Sequence, residues 1–426
     1  MKLLIKGGRI VDPLNSVDRV MDLLVERGKI VRLNRDIKAD VAKVIDARGM
    51  IVMPGLIDMH VHLREPGRED EETIITGSSA AAKGGFTTVC PMANTDPVVD
   101  KEGAVEFILS RARSVGLIDI LPIGAITKGQ KGEELAEIGE LKRAGVVGLS
   151  DDGNPIRDSH IMRKALEYSK MFNLPISAHC EDLDLSADGV MNEGYISTVL
   201  GLRGIPSLSE EMMVARDISL AQMTGGRLHI AHISTAGSVE LIRRAKQKGI
   251  RVTCETAPHY FSLTDEALKT FDTNYKTKPP LRTAEDVKAI KEGLKDGTID
   301  CIATDHAPHT VEEKDVEFDR APFGVIGLET SLALAITELV DKGIFTFCQL
   351  VRCMSCNPSQ ILGLDKGTLT PGKDADITIV DLNREWQVLS DEFESKSRNS
   401  PFIGWKLKGK VIMTIHQAKI VSSTRA

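Results

Sequence analysis

The sequence predicts an α/β fold, a (β/α)8 barrel joined to a small β-domain assembled from both ends of the chain. Three observations predict it. From Gly55 to about Leu364, short apolar runs alternate with helical stretches about eight times, the pattern of a parallel sheet closing on itself. The two ends of the chain read as short strands cut by glycine and charged turns, with no helical period. Residues that ligate metals stand at the C-terminal ends of several apolar runs, where barrel enzymes place their chemistry.

The 426 residues suffice for one barrel of about 250 residues plus an accessory domain. The divisions expected are 1–54, 55–364 and 365–426. In the first, KLLIKGGRIVDP, DLLVERGKIVRL and AKVIDARGMIVMPG are strand-like; in the last, DADITIVDLN and GWKLKGKVIMTIHQAKIV match them. Between them the strand candidates are LIDMHVHL, FTTVCPM, DILPIGAI, AGVVGLS, PISAHC, RLHIAHIS, IRVTCETA and IDCIATD. Helices such as EETIITGSSAAAKG, IMRKALEYSKMF, SVELIRRAKQKG and AEDVKAIKEGLKDG intervene. An open doubly wound sheet is the alternative, but no GxGxxG follows the first strand.

Hydrophobic residues at 42% and charged residues at 27% allow a large core and a well-solvated surface. With 4% aromatics and a net charge of -7, the chain suits neither base stacking nor attraction to phosphate backbones or anionic membranes. An anionic substrate must be caught by a local cation. Seven cysteines, an odd number in a long chain, point to reduced thiols in a cytoplasm. The lone CxxC, Cys353 to Cys356, has no second pair nearby and reads as helix packing. The N-terminal stretch lacks a signal-peptide core, and no apolar run is long enough to span a membrane.

The chemistry begins with His60-Val61-His62. Residues two apart on a strand share a face, so both imidazoles are expected in the barrel mouth. His179, His232 and Asp305 end three further strands. One HxH is a weak signal, but four strands ending in ligand types make a divalent cation site. His229 is expected to face outward, His160 and His416 to be structural, and His259 is left unassigned. Two adjacent cations need an anionic bridge, and either Asp151 or Asp152, at the end of the fourth strand, offers one. A divalent cation can activate a water and offer a place for developing negative charge. Asp305, at the last strand end, stands close enough to such a water to take its proton and pass it on. The charged segment from His309 to Gly324 reads equally as a lid or as a solvated loop.

The runs DMHVHLREPG, PMANTDPVVD, TDHAPH, APFGVIGLET, GTLTPGKDADITIVD and SPFIGWKLKGKV resemble those of the long, first-class bacterial dihydroorotases, over essentially the whole chain. The resemblance implies a (β/α)8 barrel with a composite β-sandwich. It implies reversible cyclisation of N-carbamoyl-L-aspartate to L-dihydroorotate in pyrimidine synthesis. One or two zinc ions are expected: His60, His62 and Asp305 at the first site, His179 and His232 at the second, with Asp152 bridging. Arg64, Asn94 and His309 match positions that hold the substrate carboxylate. Phe323 and Gly324 match a backbone contact to the ring, and His62 and Lys278 also face the substrate. A homodimer, and association with aspartate carbamoyltransferase, are the implied partners. Two departures stand out: Ala93 replaces a proline in the MPNT pattern, and Lys278 in KTKPPLR stands where the family usually has asparagine. Hydantoinase, dihydropyrimidinase or allantoinase activity is the nearest rival reading, and an inactive scaffold subunit the more distant one.

Overall fold

The eight apolar runs lie side by side as parallel strands in the computed structural model, which describes residues 2–41 and 43–424. The first strand, Leu56–Val61, and the second, Phe86–Pro91, are buried at every position. Strands covered on both faces read as continuous apolar runs rather than as alternations. The third is broken at Leu121-Pro122. Asp119–Ile120 pairs with the second strand and Ile123–Gly124 with Gly148–Leu149, the fourth. Proline has no N–H to give a ladder, so the break falls where the sequence puts it. Ile176–Ala178, Leu228–Ile230, Val252–Thr256 and Cys301–Ile302 complete the set. The barrel closes where His62 N–H donates to the His306 carbonyl at 2.8 Å and Val61 bridges His306.

The expected helices form with local caps. Thr73, Asp158, Thr235 and Thr283 each accept a backbone N–H at the start of Ile74–Gly84, Ser159–Ser169, Ala236–Gln247 and Ala284–Asp296. Gly84 ends the first helix against the Leu328 carbonyl, 2.0 Å from where a Cβ would sit, so no larger residue fits.

The chain ends meet in one sheet. Its order runs Lys419–Ser423, Lys406–His416, Ile377–Gln387, Ile51–Pro54, Lys2–Asp12, Val17–Glu26, Lys29–Asn34. Lys2–Asp12 shifts register between Ile5 and Gly8; its first half pairs with Lys43–Asp46 and its second with Ile51–Pro54. Leu3, Ile10, Leu23, Ile377 and Ile415 form the core of this unit. It grips the barrel where the Thr378 and Thr414 hydroxyls donate to the Gly85 and Ala82 carbonyls, each at 2.6 Å. Residues 388–405 leave the sheet and cross the barrel, where Phe393 and Phe402 pack with Leu281, Phe318 and Leu334.

Cys353 and Cys356 lie buried in a helical turn, and burial pushes both thiols up to about 12. They serve as packing groups, as the lone CxxC suggests. Among the described residues, no helix is long and apolar enough to cross a membrane.

Phe86, fully buried in the barrel core, tests this packing. Phe86→Ala is expected to cost about 3–5 kcal/mol, read as a lower thermal unfolding midpoint. An unchanged midpoint would contradict its place in the core.

Candidate metal centre and substrate pocket

His60 and His62 share a face at the end of the first strand, with ring centroids 5.4 Å apart. Each ring is tied through Nδ1: His60 to Glu255 Oε1 at 2.6 Å, His62 to Asn94 Oδ1 at 2.8 Å. Both Nε2 atoms therefore aim at one place. There His60 Nε2 lies 3.3 Å from Asp152 Oδ2 and 3.5 Å from Asp305 Oδ1; His62 Nε2 lies 3.5 Å and 3.3 Å from the same atoms. On the other side, Asp152 Oδ1 lies 3.3 Å from His179 Nδ1 and 3.0 Å from His232 Nε2, and those two nitrogens are 2.9 Å apart. One carboxylate thus turns one oxygen to each pair of imidazoles. Asp151 does not compete. Its Oδ1 accepts the Ile126 and Thr127 N–H groups at 2.7 and 3.1 Å, and its other oxygen takes the Thr127 hydroxyl.

The backbone is bent to deliver these groups. His232 and Asp305 have φ of 30° and 48°, a region side chains other than glycine rarely adopt. This explains the one orientation the sequence misjudges. His229 was expected to face outward, by strand parity from His232. It is instead buried in the barrel, with Nε2 3.2 Å from Glu255 Oε2 and Nδ1 2.9 Å from the Thr253 hydroxyl. The strand ends at Ile230 and the turn at His232 breaks the parity. His160 and His416 are as expected: one starts a helix, the other is buried against Asp376 at 2.9 Å. His259 is buried with Nε2 unpartnered, and burial pushes it down to about 4, so it is neutral.

The donor set fits divalent cations. Imidazole nitrogens and carboxylate oxygens are the ligands such ions take. His60 Nε2 is buried without a hydrogen bond, aimed into the cluster. Two triads, His60–His62–Asp305 and His60–Asp152–His232, bring their ligand atoms within 4.8 Å of one another. Four carboxylates, Asp152, Asp305, Glu181 and Glu255, are gathered here out of water. Burial alone would raise Asp152; His60, His179 and His232 outweigh it and hold it well below the usual range. Burial likewise opposes a charge on His179, but Asp152 and Glu181 overcome it and push the ring up to about 9. So much negative charge in a dry site calls for cations to balance it.

Above the cluster opens a cavity of about 370 Å³. All seven residues expected at the substrate line it: His62, Arg64, Asn94, Lys278, His309, Phe323 and Gly324, together with Asp152, His179 and Asp305. Gly324, at φ 132°, lies against Ala307, where a Cβ would meet the Ala307 Cβ at 2.8 Å. Lys278 turns its ammonium to Glu181 Oε2 at 3.0 Å, and Glu181 in turn holds His179 Nε2 at 3.0 Å. The segment read as lid or loop is stitched down. Lys276 Nζ donates to the Phe318 and Asp319 carbonyls at 2.8 and 3.0 Å, and Lys314 Nζ to the Thr273 and Pro322 carbonyls at 3.1 and 2.8 Å. Glu255, Glu181, Glu71 and Asn399 carry no motif signal and were missed. Asn399 comes from the far end of the chain; its amide donates to the Ala307 and Gly324 carbonyls at 3.0 and 3.1 Å, and its oxygen accepts the His309 N–H at 3.2 Å.

Residues 49–238 match the model of a family described as Dihydro-orotase-like. A curated dihydroorotase of Acetivibrio thermocellus is 57% identical over 98% of this chain and 98% of its own length. The chain belongs to the dihydroorotase family. Dihydroorotases of Geobacter metallireducens and Endomicrobium trichonymphae are 54% and 56% identical, each over 99% of both chains. Among solved structures, an L-hydantoinase (dihydropyrimidinase) from Arthrobacter aurescens superposes with a TM-score of 0.89 at 27% identity, covering 100% of this chain and 96% of its own. A dihydropyrimidinase from Brevibacillus agri gives 0.87 at 26% identity, covering 99% and 95%. As a member of the dihydroorotase family the chain is a cyclic amidohydrolase with a (β/α)8 barrel and a β-sandwich.

In this dihydroorotase-family site, carboxylates stand behind the candidate ligand imidazoles and orient the rings. Glu255→Gln is therefore expected to weaken divalent-metal affinity by roughly 10- to 100-fold, read by metal analysis after dialysis against graded chelator. Retention equal to wild type would remove Glu255 from that role.

Proposed function

We propose that the chain cyclises N-carbamoyl-L-aspartate to L-dihydroorotate with release of water, and catalyses the reverse, as the dihydroorotase step of pyrimidine synthesis. One observation carries the reading. A single cavity is lined both by a partly buried guanidinium, Arg64, and by the buried cluster of imidazoles and carboxylates. An acid group and a cyclic amide on one small molecule are what such a pocket accommodates.

His60, His62 and Asp305 would hold one zinc ion, His179 and His232 a second, and Asp152 would reach both. Zinc there would polarise the amide carbonyl and lower the pKa of the attacking water. The residues do the rest. Arg64 offers two parallel N–H groups to the substrate carboxylate, a geometry lysine lacks. Its Nε is engaged by Glu71 at 2.8 Å and by the Pro308 carbonyl at 3.2 Å, so the guanidinium is held in place. Asn94 Oδ1 accepts from His62 Nδ1–H at 2.8 Å, which keeps the amide nitrogen for the ligand. The Phe323 and Gly324 backbone lies along the same wall. In the hydrolytic direction, water oxygen adds to the ring carbonyl carbon, the carbon–nitrogen bond breaks, and the water proton passes through Asp305 to the leaving ring nitrogen. Asp305 borders both the imidazole cluster and the cavity, which suits that transfer.

Lys278 stands at the mouth with its charge paired to Glu181. Arg64 is also paired, but through Nε, so its Nη groups remain to select an acid, which supports the acidic substrate over the neutral rings of a hydantoinase or the ureide of an allantoinase. Intact ligands argue against a scaffold role. Buried free thiols suit a reducing cytoplasm. A homodimer and an association with aspartate carbamoyltransferase complete the reading on the family resemblance, and light scattering tests the first.

The deciding experiment follows turnover of dihydroorotate, hydantoin and allantoin side by side on protein of known metal content. Dihydroorotate is expected to be the preferred substrate; turnover of hydantoin alone would overturn the proposal. Asp305→Ala should abolish turnover while far-UV dichroism stays native, and residual activity near wild type would exclude it as the proton carrier. Arg64→Lys should raise KM for dihydroorotate about tenfold or more, with an unchanged KM counting against the clamp.

A further inference from the structure

Between the first strand and its helix, the chain folds over the barrel rim and buries Glu71, whose side chain is 3% exposed. Its two oxygens serve two residues of the cavity wall. Oε2 lies 2.8 Å from Arg64 Nε as an ion pair, while the Nε–H donates to the Pro308 carbonyl at 3.2 Å; Oε1 accepts from His309 Nδ1 at 2.9 Å. Arg68 adds a third cationic neighbour, 3.3 Å from Oε1. Arg64 and His309 come from opposite ends of the barrel sequence; the Pro308 carbonyl ties Arg64 to the neighbouring backbone, and the Glu71 carboxylate is the side chain that touches both Arg64 and the His309 ring.

The geometry has consequences for both partners. Glu71 occupies the Nε edge of the Arg64 guanidinium and so directs its paired Nη groups elsewhere, into the cavity it lines. Held through Nδ1, His309 turns Nε2 along the wall to the Phe323 carbonyl at 2.8 Å. A buried carboxylate between two basic groups also removes the repulsion that would otherwise drive them apart. Among the described residues, Glu71 makes no hydrogen bond or ion pair with His60, His62, Asp152, His179, His232 or Asp305.

We propose that Glu71 is a positioning residue that presets Arg64 and His309 as one anion-binding wall. It sets affinity for the acid group of the substrate rather than the rate of ring opening. This rests on the proposed dihydroorotase reading and adds to it a residue that sets the preference for an acidic ring.

The test uses full-length, metal-loaded protein and two planar probes, orotate and uracil, which share a ring and differ by the carboxylate. Calorimetry gives their affinities without turnover. Glu71→Gln is expected to weaken orotate binding about tenfold and leave uracil binding unchanged. In steady state it should raise KM for dihydroorotate by a similar factor with kcat within about twofold, and leave metal content as in wild type. Glu71→Asp keeps the charge but is too short to reach both partners, so its orotate affinity should fall between the two. Equal loss for orotate and uracil, a fall in kcat at constant KM, or wild-type orotate affinity in either variant would overturn the proposal. Failure of the functional reading itself shows separately, in wild-type protein that neither turns over dihydroorotate nor prefers orotate to uracil.

Discussion

Asp152 is a buried carboxylate that faces four imidazoles, one oxygen toward His60 and His62 and the other toward His179 and His232. An isolated anion in that place would cost several kcal/mol in lost hydration. It is tolerated because three strand ends deliver four basic rings to it at once. Barrel closure is what makes that delivery possible, since the first and eighth strands must meet for Asp305 to stand beside His60 and His62. The hydrogen bond from His62 N–H to the His306 carbonyl is both the seam of the barrel and a fixed point of the site.

Around that shared anion lies a ring of groups that fix orientation. Glu255 holds His60 through Nδ1 and contacts His229 with its other oxygen, so one carboxylate ties the first, sixth and seventh strands together. Glu181 does the same for His179 and links it to Lys278. Burial opposes ionisation of Glu255, but His60 and His229 outweigh it and hold the carboxyl far below its usual range. Each tie leaves the opposite ring nitrogen to point at the common centre. Precise placement of ligand nitrogens is then a property of the packed barrel rather than of mobile side chains.

The cavity wall depends on segments far from the ligands in sequence. Asn399, near the C-terminus, binds the backbone of Ala307, Gly324 and His309 together. Glu72, next to Glu71, accepts from the Lys396 N–H at 3.0 Å and lies 3.2 Å from His306 Nε2. Lys276 and Lys314 bury their ammonium groups among backbone carbonyls, at the expense of hydration: burial pushes them down to about 8 and about 7. A loop that is mostly charged in sequence is thereby ordered over the mouth. The terminal β-domain is therefore coupled to the pocket through its own excursion, residues 388–405.

The sequence by itself determined the eightfold strand–helix alternation, because strands buried on both faces read as unbroken apolar runs. It also determined the ligand types, because His60-Val61-His62 and the polar residues closing three other runs lie at strand ends. The caps that Thr73 and Thr283 form in the structure are local contacts too, with partners three residues away. Tertiary structure alone decided what long-range contact decides. It turned Asp152 toward the imidazoles and Asp151 toward the Ile126 and Thr127 backbone, two carboxylates adjacent in the chain that differ in which way the turn faces them. It reversed His229, because the bent backbone at His232 breaks strand parity. It brought Glu71, Glu181, Glu255 and Asn399 to the site, residues whose types are common on any surface. Each is fixed by at least one partner far off in the chain, Glu71 by His309, Glu181 by Lys278, Glu255 by His60 and Asn399 by Ala307, and no local pattern encodes such a partner.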